Sequence, residues 1–273
     1  MLEQEGDSIP QTTWQKINGC DAVLLGAVTC AGKEAALKEL APHLRERQLP
    51  YVSPVVQLRQ KLDLFANIRP VRYVVGSERP FHFCVIRENS EGLYAGLDFR
   101  GVSPETATWL KHPNLTKYGL AEAAWTVWLQ TRFGLERLFE YTFSYAQRHG
   151  FKRVTFADKP NVMRESGQFA QEIFEKVAQN YSEIEADIHN VDAVALWIVT
   201  KPEQFGVIVA ENMFGDILSD LGAGVMGGLG LAPSANVGSK IAYFGPAHGS
   251  ASRFTGQNKA TPSAMLYTTA LLL

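Results

Sequence analysis

At 273 residues with 46% hydrophobic side chains, the chain is long enough for one large domain or two ordinary ones around a substantial core. Its formal net charge of -2 argues against bulk attraction to nucleic acid or an anionic membrane, and no apolar run approaches the roughly 18 to 20 residues that span a bilayer. The three cysteines, Cys20, Cys30 and Cys84, contain no C-x-x-C pair, which argues against a disulfide framework or a structural zinc site and makes a reducing cytoplasm the simplest home.

In chain order, a first strand is expected only at 22–25, then a helix at 33–47 and strands at 72–75 and 81–86. A helix at 135–149, a strand at 153–156, a helix at 167–179 and a strand at 205–210 follow. This alternation predicts an α/β protein with a largely parallel sheet. Residues 123–131, AAWTVWLQT, mix β-branched and aromatic side chains without a helix beside them and read as an antiparallel arm, suited to dimerisation.

The stretch 211–230, ENMFGDILSDLGAGVMGGLG, holds a G-x-G-x-x-G at Gly222, Gly224 and Gly227. That fingerprint binds a pyrophosphate only when it follows a strand directly and opens a helix. Here the strand is followed by a helix, with Asn212 as its cap and Phe214, Ile217, Leu218 and Leu221 at helical spacing, so the glycines close the helix instead. Asp216 and Asp220 lie at i and i+4 on the face opposite Ile217, Leu218 and Leu221. Two readings stay open: a pair of hard oxygen ligands for a divalent cation, or a solvated acidic face near a helix N-terminus.

Arg59 and Arg69 in LRQKLDLFANIRPVR, and Arg87 in VIRENSEGLYAG, each read singly as ion-pair partners. Together they suit a substrate with several carboxylates, because each guanidinium grips one bidentately. Lys159, in FADKPNVM, follows a strand, where loop residues perform chemistry. Asp192, at the head of HNVDAVALWIV, is either an ordinary helix N-cap or a ligand.

Taken in order, LRQKLDLFANIRP, VIRENSEGLYAG, DKPNVM, NVDAVALWIV, ENMFGDILSDLGAGVMGGLGLAPSANVG and HGSASRFTGQNKATP resemble the β-decarboxylating dehydrogenase family of isocitrate and 3-isopropylmalate dehydrogenases, from about residue 21 to the end. The resemblance implies an α/β two-domain fold with a mixed, largely parallel sheet that is not a Rossmann fold. Residues 1–64 with 227–273 would form an incomplete cofactor-binding domain, and 65–226 a smaller substrate, metal and dimerisation domain. The implied reaction is oxidative decarboxylation of a 2-hydroxy acid with a C3 carboxylate, using NAD or NADP and Mg2+ or Mn2+. Arg59, Arg69 and Arg87 would hold substrate carboxylates, with Ser53 matching the isocitrate enzymes. Asp216 and Asp220, with Asp192 of a partner subunit, would hold the metal. Lys159, also from the partner, would relay the hydroxyl proton, and Tyr94 would protonate the enol. The adenosine half would sit on His248, Gly249, Ser250 and Ala251, with 222–230 a flexible connection between domains. The active form would be a homodimer with shared sites.

Several positions depart from the family pattern. The opening strand with its G-D-G-I-G-P-E turn and the helices after Leu273 are not in the sequence, which implies roughly 40 to 50 residues absent at each end. Val55 and Val56 are apolar where the substrate's variable arm would lie, so the hydroxy acid is left open. Arg253 and Phe254 replace the aspartate pattern of NAD-preferring relatives and favour NADP, although Thr261 replaces an asparagine expected near the adenine. A truncated or non-catalytic homologue that keeps the fold is the alternative reading.

Overall fold

The computed structural model describes residues 7–29, 38, 44, 53–73 and 80–273. Its strands are β1 (Ala22–Leu24), β2 (Ala66–Arg72), β3 (His82–Glu88), β4 (Asp98–Arg100), β5 (Ala124–Thr126), β6 (Arg153–Asp158), β7 (Glu185–Asn190), β8 (Val207–Ala210), β9 (Pro233–Val237) and β10 (Ala242–Pro246). Its helices are α1 (Gln11–Ile17), α2 (Pro54–Lys61), α3 (Pro104–Leu110), α4 (Pro113–Tyr118), α5 (Arg132–Arg148), α6 (Arg164–Ala178), α7 (Val191–Thr200), α8 (Asn212–Met226) and α9 (Ser263–Leu272). No helix among the described residues is long and apolar enough to cross a membrane.

One eight-stranded sheet carries the order β1-β10-β9-β2-β3-β8-β6-β7. From β3 through β8 and β6 to β7 the strands are parallel, and β1 is parallel to β10, whereas β10, β9, β2 and β3 alternate in direction. The fold is thus α/β with a mixed, largely parallel sheet. Because β9 bonds to β2, the strands of 1–64 and 227–273 and those of 65–226 share a single sheet.

The central strands are buried on both faces, which explains their unbroken apolar runs. In β3, Cys84 and Ile86 face a cluster with Phe139, Phe143, Phe156 and Phe174 under α5 and α6. Phe83 and Val85 face the other side, with Ile198 and Leu218 of α7 and α8. A third cluster packs Trp14 and Ile17 of α1 against Leu58, Leu64 and Tyr243.

Several sequence expectations shift. The strand expected at 72–75 is β2, displaced towards the N-terminus and containing Pro70; Val74 and Val75 lie outside the described residues. β9 pairs β2 only through Ala66, Asn67 and Ile68, so Pro70 sits where no β9 carbonyl needs its missing N–H. The helix expected at 33–47 lies outside the described residues except Lys38 and Leu44, both helical. Within 123–131, β5 does pair antiparallel with β4, and Trp125 stacks on Phe99 with centroids 4.5 Å apart. The glycine-rich stretch is mostly helix, because α8 runs through Gly222 and Gly224 to Met226. The expected flexible connection shrinks to Gly227 and Gly228, at φ of 120° and 125°, a region open to glycine and strained for other residues.

Candidate active site

Arg87 is the penultimate residue of β3, in register with Asn67 on β2 and Ala210 on β8. The chain leaves β8 directly into α8, whose first turns therefore lie against Arg87. Gly215 permits that approach, since a Cβ there would stand 2.6 Å from the Arg87 Cβ. Arg87 donates from Nε and Nη2 to the Asn212 Oδ1 at 2.9 and 2.7 Å, and its Nη1 is ion-paired with Asp216. One turn on, Asp220 lies 3.7 Å from the Arg69 Nη1. The two aspartates share a helix face as expected, and guanidiniums face both. Of the apolar set expected opposite them, Leu218 is buried, but Ile217 is 56% exposed. Tyr94 donates its hydroxyl to the Asp216 Oδ2 at 3.3 Å, with its ring 5.3 Å from the Arg87 guanidinium.

The electrostatics favour an anion. Burial, and then the charge of Arg59, push the Arg87 guanidinium down to about 10, and the same two causes lower Arg69. Burial raises Asp220, against the pull of Arg69, and burial and Asp216 raise Tyr94. The mutual depression of these guanidiniums by one another's charge is what an anionic ligand would relieve.

Arg59, on α2, donates from Nε to the Asn236 Oδ1 at 3.2 Å, and Arg69 from Nε to the Asn67 Oδ1 at 2.8 Å. Both arginines line a small cavity of about 100 Å3 that also touches Leu25, Val55, Tyr243 and His248. This cavity joins the arginines to the start of the 248–251 segment. Ser53 is the N-cap residue of the same helix α2, two positions before Val55.

β6 and β7 are parallel neighbours, so the residues that follow them meet. Lys159, just past β6, is ion-paired with Asp192 in the first turn of α7. The cap reading of Asp192 fails, because the N-cap position belongs to Asn190. Asp192 is fully exposed, and hydrogen bonding to Lys159 lowers its pKa. Among the described residues no hydrogen bond or ion pair joins this pair to Asp216 and Asp220, and no three His, Cys, Asp or Glu side chains gather into a metal site.

Beyond β10, the Ser250 N–H donates to the Thr29 Oγ1 at 3.0 Å, and the two hydroxyls lie 2.5 Å apart. Gly249 sits beside the same threonine, and Ala251 takes a left-handed φ of 48°. Arg253 lies 4.7 Å over the ring of Phe254. Thr261 hydrogen-bonds the Ser263 hydroxyl at 2.7 Å.

A family model described as isocitrate/isopropylmalate dehydrogenase matches residues 1–273. The chain belongs to the isocitrate/isopropylmalate dehydrogenase family. Protein DlpA of Legionella pneumophila subsp. pneumophila is 54% identical over 99% of this chain, which spans 44% of that protein. A 3-isopropylmalate dehydrogenase of Methanothermobacter thermautotrophicus is 38% identical over the whole chain and 72% of its own length. Among solved structures, isocitrate dehydrogenase from Methylococcus capsulatus superposes with a TM-score of 0.82 at 33% identity, over all of this chain and 73% of that one.

On this dehydrogenase scaffold, sequence reasoning missed a buried polar layer around the arginines. Asn212 does not cap α8: its oxygen serves Arg87, and its Nδ2 donates to the Glu91 carbonyl at 3.0 Å. The cap is Glu211, whose Oε1 accepts from the Phe214 N–H at 2.7 Å. Burial pushes Glu211 up to about 7, opposed by the Phe214 and Met213 N–H groups and reinforced by Glu88 and Asp158. Asn67 and Asn236 are wholly buried. No sequence pattern marked them, since β2 also carries Arg69 and Arg72 and β9 carries Ser234; only the folded register shows which partners these buried amides satisfy.

Proposed function

We propose that the chain carries the substrate-binding and metal-binding machinery of an NAD(P)-dependent oxidative decarboxylase acting on a 2-hydroxy acid with a C3 carboxylate. The observation that carries this reading is the convergence of Arg69, Arg87, Tyr94, Asp216 and Asp220 through direct contacts at one end of the sheet. Family membership supplies the reaction class.

Arg59, Arg69 and Arg87 bind the substrate carboxylates, Arg59 and Arg69 from the wall of the small cavity. Asp216 and Asp220 offer carboxylate oxygens on one helix face, a donor set that fits Mg2+ or Mn2+. Asp192 of a second copy would complete that set, since this chain's own Asp192 makes no hydrogen bond or ion pair with Asp216 or Asp220. When bound, the cation and the nicotinamide supply Lewis acidity at the C2 oxygen and a hydride acceptor. Lys159 of the second copy would take the C2 hydroxyl proton, and Tyr94 would return a proton to C3 after CO2 departs. His248, Gly249, Ser250 and Ala251 would receive the adenosine half, Thr261 would serve the adenine, and Arg253 would attract the 2'-phosphate of NADP.

The exposed Leu196 and Val199 of α7 and Ile217 of α8 support a homodimer with shared sites, since adjacent helices with unburied aliphatic residues suit a helix-to-helix interface. A cytoplasmic protein with residues 1–64 and 227–273 in one lobe and 65–226 in the other accords with this reading.

Asp216→Asn tests the metal assignment, because it removes one hard ligand at nearly constant volume. Mn2+-dependent turnover is expected to fall at least a hundredfold while circular dichroism shows the fold retained. Full turnover in this variant, together with indifference to EDTA, would refute the assignment.

A further inference from the structure

Arg59, Arg69 and Arg87 share a feature that the proposed reaction does not itself require. Each donates its Nε–H to an asparagine oxygen: Arg59 to Asn236 at 3.2 Å, Arg69 to Asn67 at 2.8 Å and Arg87 to Asn212 at 2.9 Å. A guanidinium has only donors, so the atom facing it must be the amide oxygen. All three asparagines are buried, Asn67 and Asn236 completely. They come from three separate elements, β2, β9 and the first turn of α8.

The asparagines also order one another. The Asn236 Oδ1 accepts from Arg59, from the Asn67 Nδ2 at 2.9 Å and from the Asn89 Nδ2 at 3.1 Å. That leaves its own Nδ2 buried without a partner among the described residues, so the oxygen is committed to the donors at the expense of the amide's other end. Asn67 thus links Arg69 to Asn236 and Arg59. Asn212 links Arg87 to the Glu91 carbonyl, immediately before the turn that carries Tyr94.

We infer that Asn67, Asn212 and Asn236 are positioning residues that clamp the three arginines by neutral acceptors, fixing each guanidinium while leaving its charge for an anionic substrate. A carboxylate in the same place would hold the Nε–H equally well but neutralise the charge. The aspartates that do reach these arginines, Asp216 and Asp220, meet Nη1 atoms, the outer end from which a ligand would also approach. The inference deepens the proposed function, since it assigns how that substrate site is kept cationic.

The test separates orientation from charge with paired substitutions, Asn67→Ala and Asn67→Asp, and Asn212→Ala and Asn212→Asp. Side-chain NMR of the 15N-labelled chain reads the Nε–H resonances of Arg69 and Arg87, assigned with Arg69→Lys and Arg87→Lys. Calorimetry reads the affinity for malate, a 2-hydroxy dicarboxylate. The alanine variants are expected to lose solvent protection of the matching Nε–H and about tenfold in malate affinity, the value of one charge-assisted hydrogen bond. The aspartate variants are nearly isosteric and keep an oxygen for the Nε–H while exchanging the Nδ2 donor to Asn236 or to the Glu91 carbonyl for a second acceptor; they are expected to keep the protected Nε–H yet also lose at least tenfold. Aspartate variants that bind malate as tightly as wild type would overturn the charge half of the inference. Alanine variants with an unaltered Nε–H would overturn the clamp. A wild type that ignores malate would count against the proposed substrate site, while the resonances still decide whether the clamp exists.

Discussion

Arg253 shows how much one side chain can be asked to decide. It is exposed and lies over Phe254 in the turn after the Ser250 segment, with its cation held at the rim rather than in the core. In the proposed enzyme a guanidinium there attracts a 2'-phosphate and a carboxylate repels it. A contact of this kind is worth about 1.5 to 3 kcal/mol, so kcat/KM is expected to favour NADP over NAD at least tenfold. Arg253→Asp is expected to reverse that order, and equal use of both cofactors by the wild type would assign the arginine a surface role only. At this scale the sequence was informative where charge and spacing coincide: Arg87, Tyr94, Asp216 and Asp220 do meet. It was silent on Asn67 and Asn236, because a single amide within a strand has no periodic signature and only the folded register shows what it bonds.

The element that organises the site is α8, which brings Asn212, Asp216 and Asp220 past Arg87 and begins with a buried acid. Glu211 is 3% exposed and caps the helix through Oε1, while its Oε2 has no partner among the described residues. Its pKa is raised from the ordinary 4.5 to about 7. A raised carboxyl pKa means that the folded state keeps the proton the unfolded chain releases, so the folded protein loses stability as pH rises from about 4.5 to about 7 and nothing further above that. The shift corresponds to a loss on the order of 3 kcal/mol. Glu211→Gln keeps the capping oxygen and removes the titration. Its unfolding free energy relative to wild type is therefore expected to improve between pH 4.5 and pH 7.5, and a difference that does not change with pH would contradict the assignment. α8 itself was foreseen from Phe214, Leu218 and Leu221, but its start was misread, because Asn212 is a better cap than glutamate by propensity alone and the buried demand of Arg87 overrides that preference. β2 was placed too late in the chain: Pro70 weakens the strand pattern of 66–72, and only the short pairing with β9 shows why it is tolerated there.

For the whole molecule, the α/β class followed from alternating apolar segments, whereas the mixed sheet did not. β9 and β10 are short and carry Pro, Ser, Asn and Gly, so neither presents a strong strand pattern. Their antiparallel pairing with each other and with β2 fixes Asn236 beside Asn67 and carries β10 into the 248–251 segment. One continuous sheet therefore presents, at one end, the arginines and acids of one part of the sequence and the histidine-bearing loop of another. In the proposed enzyme this assembly couples oxidation to loss of the C3 carboxylate. The most direct measurement follows NADPH formation and CO2 release together, with Mn2+ present, on isocitrate, 3-isopropylmalate and malate. A substrate with a C3 carboxylate is expected to yield both products in equal amounts, and Arg87→Ala to abolish both together. NADPH formed without CO2 from such a substrate, or turnover unaffected by Arg87→Ala, would contradict it.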